Sequence, residues 1–296
     1  MRRYTSLVSL GVAIFLSACG SDSESGIKEN LIDLSEAWEP TSIQTPRSAQ
    51  NALFVTYPVV TDQIVTNAID ITEPFSFSIS NVDFNINNAA MRSTNSYSGA
   101  CNKQGSFTFT WTPRTRLFHY DNCIMVDGYT MNGTLDVRDI DSQSFYDIDH
   151  ASLIFDLNIS SEGAVDMLDV VVDYASSGHD TISMTMNGTI ANVFENQTIQ
   201  ATYNDYSVVS TNTLKEIEGT VKINNTPELC ASNGVYTIKT LSGSPLNFTD
   251  DHTLIAGEMD INDKAHYEFH ANQSTTISIN GNSKRIDQTD LTTCSF

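Results

Sequence analysis

The spacing of two histidines comes nearest, in this chain, to a metal-binding motif. His266 and His270 lie four residues apart, as two ligands on one face of a helix would. The neighbouring residues, however, alternate between apolar and polar types, which predicts a strand. In a strand the two side chains would stand roughly 13 Å apart, too far to share a zinc ion easily. We therefore expect no shared metal site at these histidines.

A cluster of aspartates around a probable loop is the second candidate for chemistry. Calcium takes several oxygen ligands, so a calcium site is conceivable, but the chain has no glycine-pivoted loop of the known calcium-binding kind. Solvated charge is the favoured interpretation. Two of the carboxylates, Asp147 and Asp149, could alternatively act as the paired carboxylates of a hydrolase. The cluster consists of Asp136, Asp139, Asp141, Asp147 and Asp149.

The sequence lacks the common catalytic signatures. It contains no Gly-x-Ser-x-Gly elbow, no His-Glu-x-x-His motif, no phosphate-binding loop and no glycine-rich dinucleotide turn. Ser25-x-x-Lys28 matches a fragment of one serine-hydrolase motif, but the companion motifs are missing and we interpret the match as chance. With 36 acidic and 15 basic residues, the chain has a formal net charge of -21 and would repel nucleic acid. We expect no cofactor and no nucleic-acid partner.

Four cysteines beyond the N-terminal segment have the pattern of structural disulfides. Cys101 and Cys123 flank a predicted hairpin at the open end of its two arms, so we expect them to pair. This leaves Cys230 to pair with Cys294. A redox or metal site would favour a Cys-x-x-Cys spacing, which the sequence lacks. We therefore predict two structural disulfides, each contributing roughly 3 to 4 kcal/mol to the stability in the chain-entropy model.

The N-terminal segment has the composition of a secretory signal peptide. Arg2 and Arg3 precede an apolar run from Leu7 to Leu16, which is too short to span a bilayer as a permanent helix. The run ends in Leu16-Ser17-Ala18-Cys19, which resembles the lipobox of bacterial lipoproteins. The resemblance implies cleavage before Cys19, a diacylglycerol thioether on its sulfur and an acylated amino group.

The same resemblance implies a cellular location. Gly20 and Ser21 follow Cys19, so the chain lacks the aspartate next to the cysteine that retains some lipoproteins in the inner membrane. We therefore expect an outer-membrane lipid anchor, with the protein facing the periplasm or the cell surface. One acyl chain binds a membrane only reversibly, whereas several chains on one cysteine make a lasting anchor.

The anchor is expected to connect to the folded part through a tether. Residues 20–26 are polar and flexible in composition, and Ile27, Leu31, Leu34 and Trp38 then form the apolar stripe of a short helix that Pro40 would end. Residues 41–47, with two prolines, indicate a further spacer. The predicted organisation is a signal peptide over 1–18, a lipidated tether with a short helix over 19–50, and a β-rich domain over 51–296. A division into two sub-modules near 175–180 is left open.

Alternation with a period of two dominates the domain. It runs from Phe75 to Ile86. Within this segment the apolar residues change from odd to even positions at Ser80-Asn81, which predicts a bulge or turn there. Phe107 to Trp111 and Phe118 to Tyr120 alternate on either side of a turn at residues 112–115, which predicts a hairpin.

Glycine recurs in the alternating segments at positions that would point toward the apolar face of the sheet. Such a glycine leaves a gap in the inner layer, which lets a sheet bend or an aromatic side chain from a neighbouring strand lie across it. We expect Gly133 and Gly188 in strands, although the preceding asparagines leave a hairpin turn as the alternative. Gly281-Asn282 is predicted to be a turn. The five glycines are Gly133, Gly188, Gly219, Gly257 and Gly281.

These patterns predict an all-β fold. The class is an antiparallel meander forming a sandwich, a barrel or a curved half-open sheet, preceded by a short N-terminal helix after a flexible tether. The abundance of Ser, Thr and Asn and the scarcity of lysine are typical of the polar faces of sheets.

Three functions fit this fold class. The first is a non-enzymatic binding or scaffolding module that is tethered to the membrane through Cys19 and docks an envelope protein on its sheet face or edge. The second is a carrier that holds a lipid or other apolar ligand in the curved sheet. The third is an extracytoplasmic hydrolase with carboxylates such as Asp147 and Asp149. A filled core and an exposed face would favour the first, an empty apolar volume the second, and two facing carboxylates in a cleft the third.

Overall fold

The computed structural model describes residues 38–61, 95–101, 103–124, 129–141, 149–161, 164–177, 181–194, 197–226, 233–249 and 253–288. Several predictions concern residues outside these ranges: the signal peptide and lipobox through Cys19, the helix over 27–38 apart from Trp38, the alternation from Phe75 to Ile86, Ser25-x-x-Lys28, Asp147, and the Cys230 to Cys294 pair.

Within the described residues the fold is one helix and one antiparallel sheet, so the predicted all-β class is confirmed. The elements are α1 (Pro46–Thr61), β1 (Asn95–Ala100), β2 (Gln104–Trp111), β3 (Arg116–Ile124), β4 (Thr130–Asp141), β5 (His150–Ser161), β6 (Ala164–Ser177), β7 (Thr181–Phe194), β8 (Gln197–Thr211), β9 (Leu214–Thr226), β10 (Gly234–Thr240), β11 (Leu246–Phe248), β12 (Leu254–Ile261), β13 (Ala265–His270), β14 (Ser274–Ile279) and β15 (Asn282–Asp287).

The sheet is a meander in which nearly every strand pairs with the next one in the chain. The exception is the short β11, which pairs with β9 and β12 while β10 also pairs with β12. Among the described strands, β1 and β15 each have one paired neighbour, so the sheet is single and open. Strands β6 and β7 stay paired as far as Ser177 and Thr181, so the sheet continues across the division left open near 175–180.

One face of the sheet, which we call the inner face, carries the core. On β6, Leu168, Val170 and Val172 are buried on this face, whereas Asp169 and Asp173 are exposed on the opposite, outer face. Buried residues from nearly all strands form one continuous cluster with α1. Among the described residues, only α1 and the sheet itself can cover the inner face, so the sheet curves around its own core.

Helix α1 was not predicted, because residues 41–47 were interpreted as a spacer and the domain was expected to be β-rich from Asn51 onward. Its start is nevertheless well specified: Pro46 occupies the first turn, and Thr45 and Ser48 cap each other. The Ser48 amide donates to Thr45 Oγ1 at 3.1 Å, and the Thr45 amide donates to Ser48 Oγ at 2.9 Å. Several β-branched residues and Pro58 inside the helix argue against a helix on propensity alone, so packing must stabilise it.

That packing comes from the last strands of the sheet. Ala49, Leu53 and Thr56 are fully buried. The Tyr267 hydroxyl on β13 donates a 2.8 Å hydrogen bond to the Ala49 carbonyl, and Lys284 on β15 donates to Gln50 Oε1 at 3.3 Å. Since Ser48 to Thr61 contains no charged residue, α1 can lie against the inner face and complete the core.

The chain enters this arrangement along one rim of the sheet. The Thr41 amide donates to the Val235 carbonyl at 2.9 Å, and the Val235 amide donates back to Thr41 Oγ1 at 2.8 Å. Asn262 Nδ2 donates to the Thr41 carbonyl at 2.7 Å, and Ile43 is buried. Residues 41–45 are therefore part of the folded domain rather than a spacer.

The predicted hairpin is confirmed as β2 and β3. Its turn is closed by the Thr112 amide, which donates to the Thr115 carbonyl at 2.9 Å. A disulfide joins Cys101 and Cys123, with 5.4 Å between their Cα atoms, at the open end of the hairpin arms as expected. It fixes the first strands of the sheet at their ends.

The glycine predictions are also confirmed: four of the five lie within strands, and Gly281 lies in the turn between β14 and β15. Gly188 has a φ of +135° and faces Tyr203 on β8, where the register shifts. Asn187 Oδ1 accepts a 2.8 Å hydrogen bond from the amide of Asp205, the bulged residue. Asparagine, glycine and a facing tyrosine thus form a bulge in the sheet.

The same bulge recurs between β3 and β4. Gly133 faces Tyr120, and Asn132 Oδ1 accepts a 2.7 Å hydrogen bond from the Asn122 amide. Asn122 has a φ of 48°, as Asp205 does in the other bulge. Two equivalent bulges, four strands apart, therefore help the long strands to curve.

Candidate functional site

The two histidines of interest lie on β13, as the alternation predicts, and do not share a partner. His266 Nδ1 lies 2.9 Å from Asp260 Oδ1, and its Nε2 lies 3.5 Å from Glu258 Oε2. His270 Nε2 instead hydrogen-bonds Thr276 Oγ1 at 2.8 Å. Each histidine belongs to its own cross-strand network, and the two rings contact no common side chain among these partners.

One register places an aspartate, a histidine and a serine side by side, which sequence reasoning missed. Asp260, His266 and Ser278 face one another on β12, β13 and β14. The His266 ring, however, turns both nitrogens toward the carboxylates of β12. Ser278 Oγ is hydrogen-bonded to Ser283 Oγ at 2.8 Å. Because an activated serine needs a hydrogen bond to the base, this row is not a catalytic triad.

Three of the described aspartates of the predicted cluster take part in local structure, Asp136 through its side chain and Asp141 and Asp149 through their backbone. Asp136 forms an ion pair with Arg138, with 2.7 Å between Oδ2 and Nε. The Asp149 amide donates to the Asp141 carbonyl at 3.0 Å and closes the β4 to β5 connection. Within the described part of the chain, no group of three or more acidic, histidine or cysteine side chains is placed to hold a metal ion.

The inner face is filled by its own side chains. Tyr120, Tyr206, Tyr236 and Tyr267 are at most 2% exposed and belong to the packed core. Burial raises the pKa of the Tyr120 hydroxyl and, together with nearby Tyr236 and Asp260, that of the Tyr267 hydroxyl. The phenols of Tyr120 and Tyr267 therefore stay neutral.

The outer face of strands β4 to β8 mostly carries small polar side chains. Its clearest row runs across β4 to β8 in direct register. Thr189 and Thr202 hydrogen-bond each other within it, with 3.0 Å between their hydroxyl oxygens. The row consists of Thr134, Asp156, Asp169, Thr189 and Thr202.

The two carboxylates in this row face each other without a basic partner in the described part of the chain. Asp156 on β5 and Asp169 on β6 lie directly opposite, where Cβ atoms are about 4.5 to 5.5 Å apart. No described residue donates a hydrogen bond to either carboxylate or forms an ion pair with it. The pKa of Asp169 is raised, first by burial and second by the charge of Asp156. The two like charges therefore repel each other.

Basic side chains in the same row are distant. His119 lies two strands from Asp156, and Lys222 lies three strands from Asp169. Neighbouring strands are about 4.8 Å apart, so these separations are about 10 and 14 Å. At physiological salt, charges this far apart on a surface are largely screened. The repulsion between the carboxylates is thus uncompensated.

Partly exposed apolar side chains lie on both sides of the carboxylates. Ile154 and Val171 face each other on one side, and Met167 lies on the other with 46% of its surface exposed. Val165 and the buried Val193 face each other beyond Met167. We call the following residues the acidic-apolar patch: Ile154, Asp156, Val165, Met167, Asp169 and Val171.

Sequence reasoning indicated a polar outer face but not this patch. Asp156 and Asp169 each occupy a polar position in the alternating pattern of their own strand, and the sequence alone shows this. Their juxtaposition depends on the register between β5 and β6, which no local motif fixes.

Comparisons with known proteins identify no relative of this chain. No family model, no curated protein and no solved structure matches it. Among the described residues, no helix has the length and apolar character needed to cross a membrane.

Proposed function

We propose that this protein is a lipid-anchored, non-enzymatic binding or scaffolding module of the bacterial envelope. In this proposal Cys19 holds the domain on the outer membrane, and a partner protein docks on the outer face of the sheet. The observation that carries the proposal is the contrast between the two faces. The inner face carries a buried core that α1 completes, whereas the outer face presents the exposed Met167 and partly exposed apolar side chains beside two directly opposed carboxylates.

The tether supports this arrangement. Residues 20–37 separate the lipobox cysteine from Trp38 and number 18, which reach at most about 60 Å when extended. Trp38 lies under Lys222 on β9, with 5.9 Å between Nζ and the ring centroid. The domain could therefore stand well clear of a membrane surface and present its outer face to a neighbouring protein.

The alternative functions have less support. A carrier needs an apolar volume, but the residues that would line it, such as Phe155 and Met186, are 1% exposed and in close contact with other side chains. A hydrolase needs a nucleophile or two facing carboxylates in a cleft. Ser278 bonds Ser283 instead of His266, and Asp156 and Asp169 lie on an open face.

Membrane fractionation of a lipobox variant tests the anchor. Cys19→Ala should release the protein from the membrane fraction or stall its processing, and the acyl mass should be lost from the mature protein. Ser17→Ala is the matched control, because it keeps a small residue before the cysteine and should leave the partition unchanged. Unchanged membrane partition of Cys19→Ala, with no acyl mass on the wild type, would contradict the proposal.

A further inference from the structure

We infer that the acidic-apolar patch docks a basic segment of a partner protein, in which a lysine or arginine is flanked by apolar side chains. This inference rests on the proposed function, because it names the chemistry of the partner that the outer face would bind.

The first argument is the direct opposition of the two carboxylates across β5 and β6, with no described basic side chain beside them. Other outer-face carboxylates have a basic partner, as Glu218 has in Lys239 at 2.6 Å, or face uncharged residues, as Asp173 faces Ser152 and Thr185. Glu258 and Glu268 also face each other, but each has a histidine beside it. Among the described residues, Asp156 and Asp169 have only each other. Like charges directly opposite destabilise a sheet, so the pair opposes folding unless a cation covers it. Local conflicts of this kind are typical of functional surfaces.

The second argument is the spacing of the apolar side chains. On β6, Met167, Asp169 and Val171 follow one another on the outer face, so each apolar side chain lies about 7 Å from the carboxylate along the strand. An extended segment with apolar, basic and apolar residues at alternate positions repeats this spacing. Its cation would lie over both carboxylates while its apolar side chains cover Met167 and Val171.

The third argument is the charge of the whole chain. Its formal net charge of -21 attracts basic partners and repels acidic ones before contact. A polyanion is therefore excluded from the patch, and a basic protein segment fits both its charge and its apolar character.

Fluorescence anisotropy with a synthetic probe tests the inference. The probe is a labelled peptide, Val-Ser-Lys-Ser-Val-Ser-Lys-Ser-Val, and its control carries Glu in place of Lys. The protein is the mature full chain in detergent at about 20 mM salt, where surface charges are weakly screened. We expect the basic peptide to bind, the acidic peptide not to bind, and the affinity to fall as salt is raised.

Two double variants locate the binding. Asp156→Asn with Asp169→Asn should weaken binding of the basic peptide about tenfold, the effect of losing two exposed charge pairs. Glu216→Gln with Glu268→Gln removes the same charge from β9 and β13, three or more strands from β6 on the outer face, and should change the affinity less than about twofold. Because asparagine relieves the repulsion, the patch variant should fold with an equal or higher melting temperature, which the same samples report.

Three outcomes would overturn the inference. The basic peptide could fail to bind the wild type, or the two double variants could lose affinity equally, which would indicate unspecific attraction. Calcium chloride at millimolar concentration could raise the melting temperature of the wild type but not of the patch variant while the peptide fails to bind, which would indicate a cation site. None of these results affects the lipobox test, so a failure here is distinguishable from a failure of the anchoring proposal.

Discussion

At the residue scale, the facing pair of Asp156 and Asp169 gives the clearest electrostatic consequence. The pKa of Asp169 is raised from 3.8 by burial and by Asp156. The folded protein therefore holds this proton more tightly than the unfolded chain does. Ionised Asp169 therefore lowers the stability of the folded protein. This loss of stability is absent below about pH 3.8, appears as the pH rises through the raised pKa and is complete at neutral pH.

Asp169→Asn should consequently stabilise the protein at pH 7 and not at pH 3. We expect a gain of a few tenths of a kcal/mol, up to about 1 kcal/mol, as for removal of a like-charge cross-strand pair. Denaturant unfolding at the two pH values measures it. Asp173→Asn is the control, because Asp173 lies on the same strand and face but opposite Ser152 and Thr185. An equal gain at both pH values would show that repulsion is not the cause.

Gly188 gives a second prediction at this scale. A Cβ there would lie 2.6 Å from Val170 Cα, and the φ of +135° strains any side chain. Gly188→Ala should therefore cost about 2 to 4 kcal/mol, and Gly188→Asn at least as much. Gly281 is a turn residue with open space around it, so Gly281→Asn should leave the stability nearly unchanged. Thermal unfolding of the three variants checks this, and a silent Gly188→Asn would contradict the strand assignment.

At the scale of elements, α1 is the component that completes the core. Leu53 is fully buried, so Leu53→Ala should cost about 2 to 5 kcal/mol. Amide hydrogen exchange should rise in β12 to β15, which contact the helix, more than in β5 to β7. Leu214→Ala is the matched control, since Leu214 is 39% exposed and its truncation should cost less than about 0.5 kcal/mol. Equal exchange throughout the sheet would mean that α1 is dispensable for its last strands.

The elements also show which parts of the fold local sequence can predict. The β2 to β3 hairpin and the strand glycines follow from alternation and turn chemistry, which act over a few residues. Helix α1 depends on burial against strands more than 200 residues away, as the bond between Tyr267 and Ala49 shows. Its Thr45 and Ser48 cap and Pro46 were the available signals, and Pro58 with its β-branched neighbours obscured them.

At the scale of the whole molecule, the same limit applies to the site. A polar outer face follows from parity along each strand, but the pairing of Asp156 with Asp169 requires the register of β5 on β6. The Cys101 to Cys123 disulfide was predictable because its cysteines flank a local hairpin. The pairing of Cys230 with Cys294, like the lipid on Cys19, stays a prediction.

The most direct test of the central claim is site-specific photo-cross-linking in intact cells. A photoreactive phenylalanine analogue at position 167 would replace Met167, which is 46% exposed in the acidic-apolar patch. One at position 214 would replace Leu214, which is 39% exposed at the start of β9. If a partner docks on the outer face, position 167 should give a discrete protein adduct that position 214 does not give. Adducts of equal yield at both positions, or none at position 167, would contradict the account.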